Sequence, residues 1–472
     1  MESTPGRGAF IAGDWVETGE WIDVRSPYSG DVVGRVAKCG AEEARRALDA
    51  AVTALANPLP AHRRASILDG VAAALDARRD EAAAIICAEA GKPLKTARVE
   101  AERAASTYRF AAVEARRLVG EMVPMDASAA GVGKLAFTVR VPIGVVAAIS
   151  PFNFPLNLVA HKIAPALAAG CPVVLKPASA TPLSAVFLAE LEQDAGLPAG
   201  WLSVVAGPSS EIGDVLVGDE RVRLVSFTGS AEVGWGIAAR AARKRVKLEL
   251  GNATPLIVDE GADVETAAAA IAANAFSFAG QSCISIQRVY ALPGVYGELA
   301  RQVVERVEAL AVGDPADPAT DVGPLISHGD RDRVLSWIAE SGGEVLTGGT
   351  LTGDGLLRPT VIAKPGPGDK VETDEVFGPV CTISPVASLE EAIARANGTR
   401  YGLQAGIFTP SLGNALRAAH ELEFGGVVVN QAPTFRADQM PYGGVKASGN
   451  TKEGPAWAVR EMTEERLVVL ER

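Results

Sequence analysis

The chain has 472 residues, enough for about three folding units of roughly 150 residues each. It is 48% apolar and 22% charged, a composition that excludes fibrous, low-complexity and disulfide-scaffold proteins. Asp and Glu (57) outnumber Lys and Arg (45), and the net charge of −12 excludes a general attraction to nucleic acid or anionic lipid.

The apolar segments are too short for a membrane span. The runs at 142–149 and 163–175 are short or interrupted by Pro and Gly, below the roughly 18 residues that a span needs. The first 15 residues lack the basic start and apolar run of a secretory signal. The five cysteines form no CxxC pair, which predicts neither a zinc site nor a disulfide framework. We therefore expect a cytoplasmic protein without a metal site.

The first elements in chain order are helices and then buried strands. Residues 41–118 are rich in Ala, Glu and Arg with apolar residues at helical spacing, which predicts about three amphipathic helices. The run RVPIGVVAAIS at 140–150 is typical of a strand buried on both faces of a parallel sheet. Further apolar runs at 171–175, 202–205 and 224–227 are each followed by a helix-length segment. This alternation predicts a doubly wound sheet.

A basic cluster at 240–247 is interpreted as the solvated end of a helix rather than a nucleic-acid patch. A second α/β series then begins, with a strand at 256–259, a helix at 264–278, a strand near Arg288 and a helix at 296–310. It predicts a second α/β domain.

Cys283 ends the segment GQSC, between a helix and a strand, where a loop can present a thiol. A lone cysteine is usually a small buried apolar residue, so the interpretation depends on its companions. Asn153 in PFNFP offers an amide donor at a strand end, although an Asx-turn is the simpler reading. Glu249 in LELGN has apolar neighbours that would raise its pKa towards the range of a general base, although it could be a paired interdomain carboxylate. No single structural explanation covers all three.

Two segments suggest a nucleotide site. FTGS at 227–230 ends a strand and opens a helix, where backbone N–H groups bind pyrophosphate. It is not the GxGxxG fingerprint, so a plain strand-to-helix turn is an equal reading. Lys176 in KPAS lies at the carboxyl end of a strand, where doubly wound sheets bind ligands, although it could be a solvent-facing lysine.

In this order the motifs resemble those of the aldehyde dehydrogenase superfamily over essentially the whole chain, in particular its lactaldehyde and succinate semialdehyde dehydrogenase branch. EVFGP at 375–379 is similar to the family's EIFGPV, and PYGGVK at 441–446 resembles its PFGGxKxSG. The resemblance implies NAD or NADP as cofactor and the following cofactor-binding residues: Phe152, Lys176, Ser179, Phe227, Gly229, Ser230, Glu375 and Phe377.

The resemblance also implies a mechanism. Cys283 would attack an aldehyde, Asn153 and the Cys283 N–H would hold the alkoxide, hydride would pass to the nicotinamide, and Glu249 would activate the water that hydrolyses the thioester. A coenzyme A-acylating relative usually lacks this glutamate, and relatives recruited as structural proteins lose the nucleophile. Both alternatives are therefore disfavoured.

Two positions depart from the common family pattern. Ser179 stands where many NAD-specific members carry Glu, so NADP use stays open and NAD is slightly favoured. Asn252 occupies a glycine position, and we expect a tolerated local change.

Substrate residues follow from family position. The expected set is Arg109, His161, Ser282, Ile284, Phe435 and Arg436. Its cationic and polar members predict a short polar or acidic aldehyde such as lactaldehyde or succinate semialdehyde. Phosphonoacetaldehyde or glyceraldehyde 3-phosphate is less favoured, because Ser282 stands where enzymes for phosphorylated aldehydes often have arginine.

We thus expect an α/β fold of two doubly wound domains, a Rossmann-like coenzyme-binding domain (1–121 and 142–250) and a catalytic domain (251–433). The alternating tail near Arg466 and the segment after Met122 would add a small β element (122–141 and 455–472). Exposed strand edges favour association, so the expected assembly is a homodimer or homotetramer.

Overall fold

The computed structural model describes residues 6–241 and 243–471. The strands in these residues are β1 (Gly6–Arg7), β2 (Ala9–Ile11), β3 (Asp14–Val16), β4 (Trp21–Arg25), β5 (Val32–Ala37), β6 (Met122–Val123), β7 (Lys134–Pro142), β8 (Val145–Ile149), β9 (Val173–Lys176), β10 (Leu202–Val204), β11 (Val222–Thr228), β12 (Arg245–Glu249), β13 (Thr254–Val258), β14 (Ile286–Ala291), β15 (Glu344–Thr347), β16 (Thr360–Ala363), β17 (Val380–Pro385), β18 (Gln404–Phe408), β19 (Gly426–Val429) and β20 (Thr463–Glu471).

The α-helices in the same residues are α1 (Ala41–Leu55), α2 (Ala61–Ala77), α3 (Arg79–Ala90), α4 (Leu94–Arg117), α5 (Asn157–Ala169), α6 (Leu183–Asp194), α7 (Asp214–Gly218), α8 (Ala231–Arg240), α9 (Val264–Ala275), α10 (Pro293–Glu308), α11 (His328–Glu340), α12 (Lys370–Thr373), α13 (Leu389–Asn397), α14 (Leu412–Glu421) and α15 (Pro455–Glu461). None of them is both long and apolar enough to cross a membrane.

The first large sheet has the strand order β12-β11-β8-β9-β10-β2-β3. Its first five strands are parallel, and the N-terminal hairpin β2-β3 extends it antiparallel. Helices cover both faces: α2, α4, α5 and α6 pack on one side, and α1, α7 and α8 on the other. The prediction of a doubly wound sheet is confirmed. The hairpin was not predicted.

The second large sheet has the order β15-β16-β17-β14-β13-β18-β19 and is parallel except for the edge strand β15. Its core is formed mainly with α9, α10, α11 and α13. A second α/β domain was predicted, and the fold class is confirmed.

Two small sheets complete the fold. In one, β20 pairs antiparallel with β7 over nine residue pairs, and β6 flanks β7. This sheet joins the segments 122–141 and 455–472, although α15 in the second segment packs on α4 and α5 instead. The other, β1-β5-β4, was not predicted.

Several predicted boundaries need correction. Arg245 and Lys247 of the basic cluster lie in β12, not at a helix end. The run 140–150 is divided between β7 and β8, because the chain leaves the small sheet at Pro142 and enters the large one at Val145. Four helices, α1 to α4, occupy 41–117 in place of about three, since Pro60 and Pro93 precede α2 and α4 and the chain also breaks at Arg78.

Candidate active site

The loop of Cys283 is shaped by a strained turn. Phe278, Ala279 and Gly280 have φ angles of 50°, 52° and 70°, a left-handed conformation that only glycine adopts readily. A Cβ on Gly280 would also overlap the carbonyl oxygen of Gly378. Gln281 is then fixed because its Oε1 accepts from the Ile326 N–H at 2.8 Å. The turn thus directs the loop away from α9 and places the thiol at the seam between the two large sheets.

Cys283 is partly buried in this seam. Burial raises the pKa of its thiol to about 12. Its Sγ lies 3.0 Å from the Tyr442 hydroxyl oxygen. In the described part of the chain, the Cys283 backbone N–H makes no hydrogen bond with other backbone groups, so it is free to donate to a ligand.

Asn153 follows β8 and is buried. Its Nδ2 donates to the carbonyl oxygen of Gln281 at 3.0 Å, which ties the amide to the Cys283 loop. A cavity of about 400 Å³ is lined by Asn153, Glu249 and Cys283 together. The structure therefore brings the three predicted catalytic residues to one cavity.

Glu249 ends β12 at the carboxyl edge of the first sheet and is 4% exposed. Neither of its carboxylate oxygens has a hydrogen-bond partner among the described residues. Burial, and next the charge of Glu453, raises the pKa of Glu249 well above its usual value, against the nearby cations Arg436 and Lys162. A proton acceptor is thus held at the cavity without a structural partner.

Sequence reasoning missed Lys162 and Glu453. Lys162 lies in α5, where every residue is buried, and its Nζ donates to Thr228 Oγ1 at 2.7 Å and to Ser226 Oγ at 3.2 Å. Burial lowers the pKa of Lys162 to about 8, against the attraction of Glu453 and Glu249. A lone lysine in an otherwise apolar helix segment could have revealed it. Glu453 lies too far from Glu249 in sequence to be paired with it by any local pattern.

The same cavity contains most of the predicted cofactor residues. Phe152, Gly229, Ser230, Glu375 and Phe377 line it. The rings of Phe152 and Phe377 meet edge to face, with centroids 5.8 Å apart. Phe227 is the last residue but one of β11, and its ring lies beside Gly229.

Glu375 is anchored by Asn252. The Asn252 N–H donates to Glu375 Oε1 at 2.9 Å, and its side-chain amide bonds Thr254 and the carbonyl of Gln404. The Asn252 side chain thus links the seam to β18. A Cβ at Gly251 would overlap the Glu375 carboxylate, so glycine is needed there. Burial raises the pKa of Glu375 to about 7.

The cavity fits a dinucleotide. The Ser230 hydroxyl caps α8 by accepting from the Val233 N–H, and the N–H groups of Ala231 and Glu232 in the same first turn would face a phosphate. Lys176 Nζ is buried and bonds only the adjacent Pro177 carbonyl among the described residues. Ser179 bonds the Gly207 carbonyl through its hydroxyl at 3.1 Å. These residues would hold the phosphates and ribose of NAD(P).

A second cavity, of about 210 Å³, adjoins the other side of the Cys283 loop. Ser282 and Ile284 line it together with Arg103, Phe154 and Thr434. We name it the substrate channel. Arg103 is 23% exposed, and its Nε and Nη2 bond Asp438 Oδ1 at 3.2 and 2.9 Å. Arg103 was not predicted.

Arg109 is a wrong prediction. Its guanidinium pairs with Asp76 on the surface, and half of the side chain is exposed. Six residues along an α-helix turn the side chain by about 240°, so Arg109 and Arg103 point to different faces of α4. The cations that line the channel are Arg103 and Lys92, and Lys92 is buried and paired with Glu100.

The other predicted substrate residues lie behind or beside the channel. His161 is fully buried and bonds Asp438 Oδ1 through Nε2 at 3.2 Å. Arg436 pairs with Glu453 at 2.7 Å, stacks on the Tyr442 ring and is not among the residues that line the channel. Phe435 is 46% exposed and accepts a hydrogen bond from Gln404 through its backbone carbonyl.

Comparison with known proteins is consistent with this site. The profile of the aldehyde dehydrogenase family matches residues 15–468. The chain is 43% identical to 3-sulfolactaldehyde dehydrogenase of Priestia aryabhattai over 466 residues, with 98% of each protein covered. It is 38% identical to lactaldehyde dehydrogenase of Methanococcus vannielii over 476 residues, covering 98% of this chain and 99% of the relative. Aldehyde dehydrogenase 21 of Physcomitrella patens, solved in complex with the reaction product succinate, superposes with a TM-score of 0.96 at 39% identity and 99% coverage of both chains.

Proposed function

Because the chain belongs to the aldehyde dehydrogenase family of NAD(P)-dependent oxidoreductases, we propose that it oxidises a short anionic or hydroxylated aldehyde to the carboxylic acid with Cys283 as nucleophile. The observation that carries this proposal is the position of the Cys283 loop between two cavities. The larger one holds Glu249 and the cofactor residues, and the smaller one is the substrate channel. Cys283 lines the larger cavity, and its neighbours Ser282 and Ile284 line the channel, so an aldehyde bound in the channel would reach the sulfur across this loop.

The first half of the reaction belongs to Cys283 and Asn153. The sulfur bonds to the aldehyde carbon, and the carbonyl oxygen becomes an alkoxide. One N–H of the Asn153 amide bonds the Gln281 carbonyl, so its second N–H and the free Cys283 N–H are the donors available to that oxygen. NAD(P) held by the residues of the larger cavity would supply the hydride acceptor, and loss of hydride from the former aldehyde carbon would leave a thioester on Cys283.

The second half belongs to Glu249. Its unpartnered carboxylate removes a proton from the water that attacks the thioester carbon, and the acid leaves as the thiol re-forms. Lys162 and Glu453 lie near enough to Glu249 to influence its pKa, so they bias its charge state. Glu249 favours release of the free acid over transfer to coenzyme A.

The substrate channel supports a short polar aldehyde. Its volume of about 210 Å³ suits a chain of a few carbon atoms. Arg103 uses Nε and Nη2 for Asp438, and its Nη1 makes no hydrogen bond within the described residues. A guanidinium edge of this kind binds a carboxylate or sulfonate. The names of the two relatives and the succinate product of the solved structure also point to small anionic or hydroxylated aldehydes.

The test is a spectrophotometric screen at 340 nm of short anionic, hydroxylated, alkyl and aromatic aldehydes, each with NAD and with NADP. The proposal expects reduced coenzyme with anionic or hydroxylated aldehydes, the free acid as product, and no oxidation by Cys283→Ala that still binds coenzyme. Preference for long alkyl or aromatic aldehydes would contradict the substrate class. Substantial turnover by Cys283→Ala would contradict the mechanism, and an acyl-coenzyme A product would assign the alternative reaction.

A further inference from the structure

The hydroxyl of Tyr442 contacts the nucleophile directly. Its oxygen lies 3.0 Å from Cys283 Sγ, and the Tyr442 side chain is 3% exposed. The family's PFGGxKxSG pattern has phenylalanine at this position, so packing in the fold does not require the hydroxyl. Sγ is the one partner of this hydroxyl in the hydrogen bonds of the described residues.

Tyr442 is held in place from three sides. Its backbone forms an antiparallel bridge with Glu453. The Arg436 guanidinium stacks 3.9 Å from the ring centroid and is itself paired with Glu453 at 2.7 Å. Ile284 and Leu403 pack around the ring. The phenol oxygen therefore has little freedom to leave the sulfur.

We propose that Tyr442 donates a hydrogen bond to Cys283 and stabilises its thiolate, so that the hydroxyl sets the pH at which the nucleophile becomes reactive. This inference deepens, and rests on, the proposed role of Cys283. The Sγ–H bond breaks and its proton leaves to the buffer, while the phenol keeps its own proton and turns it towards the sulfur. Hydrogen bonds to charged groups are stronger than those to neutral ones, so the bond strengthens on ionisation.

The groups around Sγ make this donor important. Burial has the largest effect on the Cys283 thiol and raises its pKa. The Tyr442 hydrogen bond has the next largest effect and lowers this pKa, and the charge of the Glu375 carboxylate raises it further. Arg436 favours the thiolate and Glu249 disfavours it. Burial also raises the pKa of Tyr442 well above 10, although Arg436 acts against this rise, so the phenol remains protonated and can only donate to a thiolate.

The experiment is the rate of Cys283 alkylation by iodoacetamide as a function of pH, for the wild-type enzyme and for Tyr442→Phe. The thiolate attacks the carbon and iodide leaves, so the rate reports the thiolate fraction. Tyr442→Phe is expected to move the midpoint up by about one pH unit, which is about a ten-fold slower rate below both midpoints. Coincident profiles, or a shift to lower pH, would overturn the proposal.

The matched control is Tyr290→Phe. Tyr290 is also buried, and its hydroxyl donates to Glu372 at 2.6 Å in the core of the second sheet. This variant is expected to keep the wild-type alkylation profile. An equal shift in both variants would assign the effect to general loosening and overturn the proposal. Cys283→Ser gives the background from the other four cysteines, all buried.

A second variant tests the same hydrogen bond without removing the donor. Substitution of 4-aminophenylalanine at position 442 keeps an N–H donor of almost the same size that does not ionise, and the alkylation midpoint should stay near the wild-type value. A midpoint raised by as much as is expected for Tyr442→Phe would contradict the proposal even if Tyr442→Phe folded poorly. Alkylation needs neither aldehyde nor NAD(P), so failure of the proposed oxidation in the aldehyde screen would leave this result standing on its own.

Discussion

Glu249 differs from the other buried carboxylates by having no hydrogen-bond partner among the described residues on either oxygen. Glu192, for comparison, accepts from Tyr108 at 2.6 Å, and Glu89 bonds the start of α6. A buried carboxyl without a partner costs stability, and this cost is explained when the carboxyl accepts a proton during the reaction.

We therefore expect Glu249→Gln to leave a burst of reduced coenzyme and to slow steady-state turnover by about 10²-fold or more, since general base catalysis contributes roughly that factor. In wild-type enzyme, steady-state turnover should rise with pH above the usual carboxylate range, because burial raises the pKa of Glu249 and only its ionised form is a base. Stopped-flow absorbance at 340 nm measures the burst, and steady-state absorbance at 340 nm measures the turnover rate and its dependence on pH. Glu192→Gln is the control, with a normal steady state expected. An unchanged steady-state rate in Glu249→Gln would move the base elsewhere.

Arg103 and Arg109 lie on the same helix but on different faces, which makes them a matched pair. Arg103→Leu should raise the KM for succinate semialdehyde by about ten-fold or more, because a hydrogen bond to a charged group is lost, and should leave the KM for butanal nearly unchanged. Arg109→Leu should change neither, since Arg109 pairs with Asp76 at the surface. Steady-state kinetics with both aldehydes provide the measurement. Equal effects of Arg103→Leu on both aldehydes would contradict an anion contact.

At the scale of elements, the turn at 278–280 determines where the thiol lies. Its three left-handed residues are unusual because two of them are not glycine. The turn separates α9 from the Cys283 loop, and the predicted helix 264–278 ran too far because nothing in the local pattern marks this change. Strain stored next to a reactive residue is a common property of functional sites.

Gly280→Ala is expected to destabilise the protein by about 1–3 kcal/mol, through a φ of 70° and the overlap with the Gly378 carbonyl. It should also slow alkylation of Cys283, because the loop must shift. Gly297→Ala is the control: Gly297 lies exposed in α10 with open space around it, and alanine there should stabilise by about 0.5–1 kcal/mol. Thermal unfolding and the alkylation rate are the measurements. A stable Gly280→Ala with normal alkylation would show that the turn is not required.

The sequence predicts those parts of the fold that depend on local pattern. The apolar runs of β9, β10, β11, β13 and β14 and the amphipathic helices follow from periodicity. β12 was not predicted as a strand because Arg245 and Lys247 interrupt its apolar residues. It nevertheless pairs with β11 over five residues. Segments that contain glycine or proline, namely FTGS, KPAS and GQSC, predicted the positions of the nucleotide loops and the Cys283 loop. Contacts such as those of Tyr442, Lys162 and Arg103 depend on residues distant in sequence, and only the folded chain brings them together.

At the scale of the whole molecule, the segment 434–454 completes the site. The sequence assigned it to no domain, yet it runs across the seam, where Leu250 and Gly251 bond Ser448 and Leu248 bonds Asn450. The same segment contributes Arg436, Tyr442 and Glu453. This segment therefore helps to join the two large sheets at the cavity, and the site exists only when both halves and this segment have folded.

The β20 edge is the other feature of the whole molecule that needs explanation. One side of β20 pairs with β7, whereas no strand in residues 6–241 or 243–471 pairs with the other side. Leu467, Val469 and Leu470 are about half exposed along this edge. A long unpaired edge with apolar side chains favours association with another chain. We expect a second copy to cover it.

Leu467→Lys combined with Val469→Lys places two charges on one face of β20 and should lower the molar mass from that of an oligomer towards that of one chain. Size-exclusion chromatography with light scattering measures it. Val345→Lys is the control, because Val345 is 42% exposed on β15, the edge strand of the second sheet, and no association is expected there. Because each active site is formed within one chain, Cys283 alkylation should persist in the dissociated variant. A wild-type protein that is already monomeric, or a double variant with unchanged mass, would remove β20 from the assembly.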